Sequence, residues 1–126
     1  MNFEFSDDVT MMREAVNRFL TEQLPVGAVR QQIESGAKLD QTLWSKIAEM
    51  GWLGVAIPEE FDGMGLGYEA LCMIAEDIGR TLPSVPFSSS IYLAAQAILL
   101  FGSQAQKENY LPRLATGSIV GAFALA

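Results

Sequence analysis

Apolar residues return every three or four positions along most of this sequence, and glycine or proline closes each run in which they do. That pattern restricts the chain to a set of short amphipathic helices. Val9, Met12, Val16, Phe19 and Leu20 form the first apolar face. Ser6 stands before it as an N-cap, and Asp7 and Asp8 lie where a helix N-terminus favours negative charge. Pro25 and Gly27 end or redirect this helix. Val26, Val29 and Ile33 mark a shorter one, which Gly36 closes. Asp40 opens the next helix, with Leu39 and Trp44 spaced for a hydrophobic staple. Leu43, Trp44, Ile47 and Ala48 make its buried face, and Gly51 takes the left-handed position past its end.

The run Trp52 to Ile57 reads as an extended or turn-like crossing, and Pro58 to Gly67 as a loop rich in glycine and acid. Tyr68 to about Arg80 is an amphipathic helix with Leu71, Ile74, Ala75 and Ile78 inward. Glu76 pairs with Arg80 outside, and Glu76 and Asp77 belong to a solvated face. Pro83 and Pro86 bracket a turn. Ser88, Ser89 and Ser90 offer N-caps to a helix from Ile91 to Phe101 that is apolar almost all round, as a central buried helix would be. Gly102 ends it. Ser103 and Gln106 have capping-box spacing for a last helix. Pro112 predicts a break in that helix and a new short turn through Leu114 and Ala115, which Gly117 stops. Residues 119–126 read as a strand. The expected fold class is therefore all-α: an orthogonal or up-down bundle of five to six helices over residues 1–117. Residues 118–126 would begin the first strand of a missing β domain, because a lone strand has no partner for its backbone groups.

Composition narrows the function. Half of the 126 residues are apolar, which suits one domain with its own core. A formal charge of -7, from 8 basic and 15 acidic residues, repels nucleic acid and anionic membranes, so neither is an expected partner. Histidine is absent, which removes imidazole bases and imidazole metal ligands. Cys72 is the single cysteine, so no internal disulfide or thiolate cluster can form. The first residues lack the pattern of a signal peptide or an arginine-rich presequence. The longest apolar stretch, Ile91 to Phe101, is shorter than the about 20 residues needed to span a bilayer. A cytoplasmic location is expected.

Three motifs carry possible chemistry. Gly63, Gly65 and Gly67 could cradle a phosphate, but Tyr68 stands where the dinucleotide pattern needs its third glycine, and Glu59, Glu60 and Asp62 would repel an anion. A plain turn is the simpler reading. Glu59 and Glu60 are adjacent carboxylates with nothing apolar to isolate either, which fits a solvated loop. Cys72 in an apolar helix reads as a buried inert thiol. By themselves the residues describe an acidic helical domain without self-contained chemistry.

The ordered segments resemble one family. Leu43 to Gly54 (LWSKIAEMGWLG) is similar to the second-helix segment of acyl-CoA dehydrogenases. Ile57 to Leu66 (IPEEFDGMGL) resembles the family loop I-P-E-E-aromatic-G-G-x-G-L, with Asp62 in place of the first glycine. Glu76 to Arg80 (EDIGR) resembles the end of its third helix, and Gly102 to Gly117 resembles G-x-x-x-Q-K-x-x-Y-L-P-x-L-x-x-G. Phe123 to Ala126 is similar to the start of the first strand of the middle domain, usually aromatic-x-L-T.

The resemblance implies a parent enzyme of three parts: a helical domain, a β domain and a carboxy-terminal bundle, oligomeric and holding FAD. There a glutamate outside this chain removes the α-proton of an acyl-CoA thioester, the β-hydride passes to the flavin, and an electron-transferring flavoprotein takes the electrons. Phe123, Leu125 and Ala126 match positions bordering the cofactor, although Ala126 replaces a threonine that bonds the flavin ring. Val85, Ser89 and Leu93, counted back from Gly102, match positions lining the acyl cavity. No catalytic residue lies in the chain, which alone is expected to be inactive. Two other readings remain open: a stand-alone helical interaction module, and a related-fold acyl-CoA oxidase or flavin monooxygenase.

Overall fold

In the computed structural model, residues 5–36 and 39–125 are described, and every regular element among them is helical. The described chain divides into two compact units.

The first unit holds residues up to Gly36 and Tyr68–Ser84. Helix α1 (Asp7–Gln23) starts at Ser6, whose hydroxyl accepts from the Val9 amide. It buries Val9, Val16 and Leu20, while α4 (Gly67–Thr81) buries Ala70, Leu71, Met73 and Ile74. Helix α2 (Val26–Glu34) buries nothing; Val26 and Ile33 of its expected apolar face stand open.

Two expectations for α4 are corrected. Cys72 is exposed, not buried. Asp77 is buried rather than solvated, because it lies three residues after Ile74, on the same face. The Asn17 amide donates to its Oδ1 at 3.4 Å, and the Arg13 guanidinium lies 3.8 Å from Oδ2. Arg13 also bonds Glu76, which pairs with Arg80 as expected.

The second unit holds residues 39–67 and 85–125. Helix α3 (Gln41–Glu49) is capped by Asp40, whose carboxylate accepts from the Leu43 amide at 2.9 Å. Gly51 reverses the chain with φ +78°. Tight 3-10 turns come next, at Trp52–Gly54 and Glu59–Phe61. The crossing is wholly buried from Trp52 through Ile57.

Helix α6 (Gln104–Ala115) carries the expected capping box of Ser103 and Gln106. It is not broken at Pro112 but continues through it. An interior proline costs about 3 kcal/mol. Leu111 and Leu114 are fully buried on one side, and burial of each contributes about 1.5–3 kcal/mol. The carbonyl that would have bonded the missing N–H belongs to the exposed Glu108, where water can replace it.

The helix expected from Ile91 begins earlier and winds differently. Ser88–Ala95 is π-helical and runs into α5 (Gln96–Phe101). It is not buried all round: Ser90, Ile91, Ala94, Ala95 and Gln96 face inward, while Leu93, Leu100 and Phe101 are exposed. One core cluster joins Ile57, Phe61, Ala95, Leu111, Leu114 and Ala115, with Ile98, Leu99 and Ile119 against it. Residues 120–125 have no regular secondary structure, so no strand forms there among the described residues. A strand exists only through a ladder, and no second strand is available among them to build one.

Candidate functional site

The expected acyl-side residues fall on one short stretch of backbone. Val85 is half-buried in the turn between Pro83 and Pro86, which feeds the π-helical segment. Ser89 is half-buried on that segment, and its hydroxyl donates to the Pro86 carbonyl at 3.3 Å. Leu93, one turn on, is half exposed. The wide winding of a π-helix keeps residues four or five apart on one side, so Ser89 and Leu93 present one surface and Ser90 and Ala94 another. Such winding is frequent at functional sites.

The expected cofactor-side residues lie on the tail, and the structure ties that tail to the same segment. The Gly121 amide donates to the Ser90 hydroxyl oxygen at 3.1 Å. A Cβ at Gly121 would overlap that of Ala94 and stand 3.3 Å from Leu114 Cδ2. The tail therefore rests directly on the helix and reaches Phe123 and Leu125, which are 48% and 87% exposed. Ala126 lies outside the described residues. Ser90 and Gly121 carry this junction, and neither stands out in the sequence. Ser90 reads there as one of three equivalent caps, and Gly121 as an ordinary small residue in an apolar run.

None of Val85, Ser89, Leu93, Phe123 and Leu125 is ionisable at neutral pH. The set can contact an acyl chain and an aromatic ring but cannot move a proton. Phe123 and Leu125, two and four residues beyond Gly121, present an exposed aromatic and an exposed aliphatic side chain. They supply nothing for a phosphate.

The glycine loop does not offer a phosphate cradle. The amides of Met64, Gly65 and Leu66 donate to the carbonyls of Gly54, Ile57 and Val55 at 2.8, 2.9 and 2.9 Å, so these donors are already used. Gly63 packs against the Ile57 backbone, where a Cβ would overlap the carbonyl. Glu59 and Glu60 are exposed.

Residues 6–118 match the family model for the acyl-CoA dehydrogenase N-terminal domain. The chain belongs to the acyl-CoA dehydrogenase family. A mitochondrial isovaleryl-CoA dehydrogenase of Arabidopsis thaliana is 34% identical over 124 residues, covering 97% of this chain and 30% of the relative. A chain solved in work on the electron transferring flavoprotein of Acidaminococcus fermentans superposes with TM-score 0.84 at 28% identity, covering 95% of this chain and 32% of the other. An acyl-CoA dehydrogenase complexed with FAD from Bacillus anthracis superposes with TM-score 0.78 at 27% identity, covering 94% and 21%. The chain thus spans about 30% of the length of the first of these acyl-CoA dehydrogenase relatives. Among the described residues, no helix is long and apolar enough to cross a membrane.

Proposed function

We propose that this chain supplies the amino-terminal helical domain of a FAD-dependent enzyme that converts an acyl-CoA thioester to its 2-enoyl-CoA. Its task there is to form one wall of the acyl pocket. The observation that carries the reading is the junction of Ser90 with Gly121. It holds the segment that would meet the acyl chain, with Val85, Ser89 and Leu93, against the tail that would meet the cofactor, with Phe123 and Leu125.

FAD, when bound, supplies the acceptor for the hydride that leaves the β-carbon. This chain's residues orient and enclose. Leu93 and Val85 offer apolar surface to the acyl chain and exclude water from it. Phe123 and Leu125 cover part of the ring. Proton removal from the α-carbon belongs to a base elsewhere in the enzyme, since the five site residues hold none. FAD binding finds support in the FAD-containing relative. An electron-transferring flavoprotein as acceptor, an oligomeric enzyme and a cytoplasmic location belong to the same proposal.

The test compares this polypeptide with the full-length gene product. The full-length protein is expected to purify with a flavin spectrum and to reduce a dye when given acyl-CoA. The 126-residue chain is expected to do neither. Robust turnover by the chain alone would overturn the assignment, as would a full-length product free of flavin and inert toward every acyl-CoA.

A further inference from the structure

We propose that Ser90 is a positioning residue that couples the acyl side of this domain to its flavin side; the inference rests on the proposed function above. Ser90 is fully buried, whereas its neighbour Ser89 is half-buried toward the expected acyl surface. Its hydroxyl oxygen accepts the Gly121 amide from 31 positions away. That bond sets the point at which the tail leaves the helix. Beyond it, residues 122–125 have no regular structure, and Phe123 is only two residues past the anchor.

Two separate features are needed for this geometry. One is a hydroxyl at position 90, and the other is the lack of a side chain at position 121. The second is required by the overlap that a Gly121 Cβ would make with the Ala94 Cβ at 2.4 Å, together with its tight approach of 3.3 Å to Leu114 Cδ2. Hydroxyl and glycine lock from opposite sides, one by attraction and one by close approach. A shift of the π-helical segment to fit a different acyl chain therefore carries the tail with it. Acyl fit and ring placement become one coordinate.

The experiment uses the flavin-loaded full-length protein with Ser90→Ala, which removes the acceptor, and Gly121→Ala, which keeps the hydroxyl but forces the tail away. Two readouts are followed in each: amide hydrogen exchange over residues 121–125, and the visible absorption band and dissociation constant of the bound flavin. Thermal midpoints show whether each variant is folded. Both variants are expected to speed exchange of the residue-121 amide by about tenfold, the scale of one hydrogen bond, and to weaken flavin binding and shift its band. Should Ser90→Ala fail to fold, Gly121→Ala decides alone, and the reverse holds equally. A flavin band and affinity unchanged in the folded variants overturns the role of Ser90 while leaving the proposed function standing, and so does unchanged exchange of the residue-121 amide. A wild-type protein that holds no flavin overturns both together.

Discussion

The indole Nε1 of Trp44 donates a hydrogen bond to the Gly117 carbonyl at 3.1 Å, joining the middle of α3 to the chain just past the end of α6. Trp44 is 1% exposed, so the bond is made inside a packed environment. Gly117 reaches it with φ +68°, and a Cβ there would stand 2.8 Å from Leu53 Cδ1 and 3.1 Å from the indole nitrogen itself. Trp44→Phe removes the donor and part of the packed volume. It is expected to cost about 2–3 kcal/mol in urea unfolding, with Trp52 left as the fluorescent reporter. A loss below about 0.5 kcal/mol would show that this bond does not hold the two helices together.

Arg13 and Arg80 both contact Glu76, yet their removal should differ. Arg80 is more than half exposed and its pair with Glu76 is a surface one, so Arg80→Ala should change stability by less than about 1 kcal/mol. Arg13 also faces the buried carboxylate of Asp77. Arg13→Ala takes the cation away from that group and leaves it the Asn17 amide, and about 2 kcal/mol or more should be lost. Equal effects in chemical denaturation would refute the distinction.

Asp62 occupies the left-handed region with φ +61°, a conformation that favours glycine. Relief of that strain is worth about 1–2 kcal/mol for a general residue and less for aspartate, and the entropy of glycine offsets part of it. Asp62→Gly should therefore stabilise by up to about 1 kcal/mol, visible as a raised thermal midpoint. A lowered midpoint would mean that the carboxylate does something the strain argument omits.

Ser89→Trp in the full-length enzyme adds a large ring where the acyl wall is proposed. Preference should move toward shorter acyl chains, read as the ratio of kcat/KM for short and long substrates, by about tenfold or more. An unchanged ratio would take Ser89 out of the pocket.

Some local signals in the sequence match the local structure, although Ser88, Ser89 and Ser90 lie inside their helical segment and do not cap it. Ser6, Asp40 and the Ser103–Gln106 box cap their helices as their spacing implies, because each bond spans three residues. Gly51 turns the chain where its position demands it. Partners far along the chain are not legible. Asp77 reads as solvated because Arg13 and Asn17, the nearer of them 60 positions upstream, leave no mark beside it. Pro112 reads as a break because the packing of Leu111 and Leu114 that holds the helix together is tertiary. The winding at Ser88–Ala95 is hidden for another reason: three serines followed by five largely apolar residues have no periodic contrast from which to tell an α-turn from a wider one. Of the candidate site, Ser89 and Leu93 lie four positions apart on one helical segment, as local spacing implies, while the bond from Gly121 to Ser90 links positions too far apart for any local pattern to reveal.

The glycine loop after Phe61 looks like the natural place to nick the chain, splice in an epitope tag or circularly permute the domain. Its amides argue against all three. Met64, Gly65 and Leu66 are stitched to the backbone of a buried crossing, so a protease would have to peel the loop from the interior before it could bind an extended stretch of it. The turn at Ser35 and Gly36 is the better place for an experimenter's cut: α2, which leads into it, buries no residue.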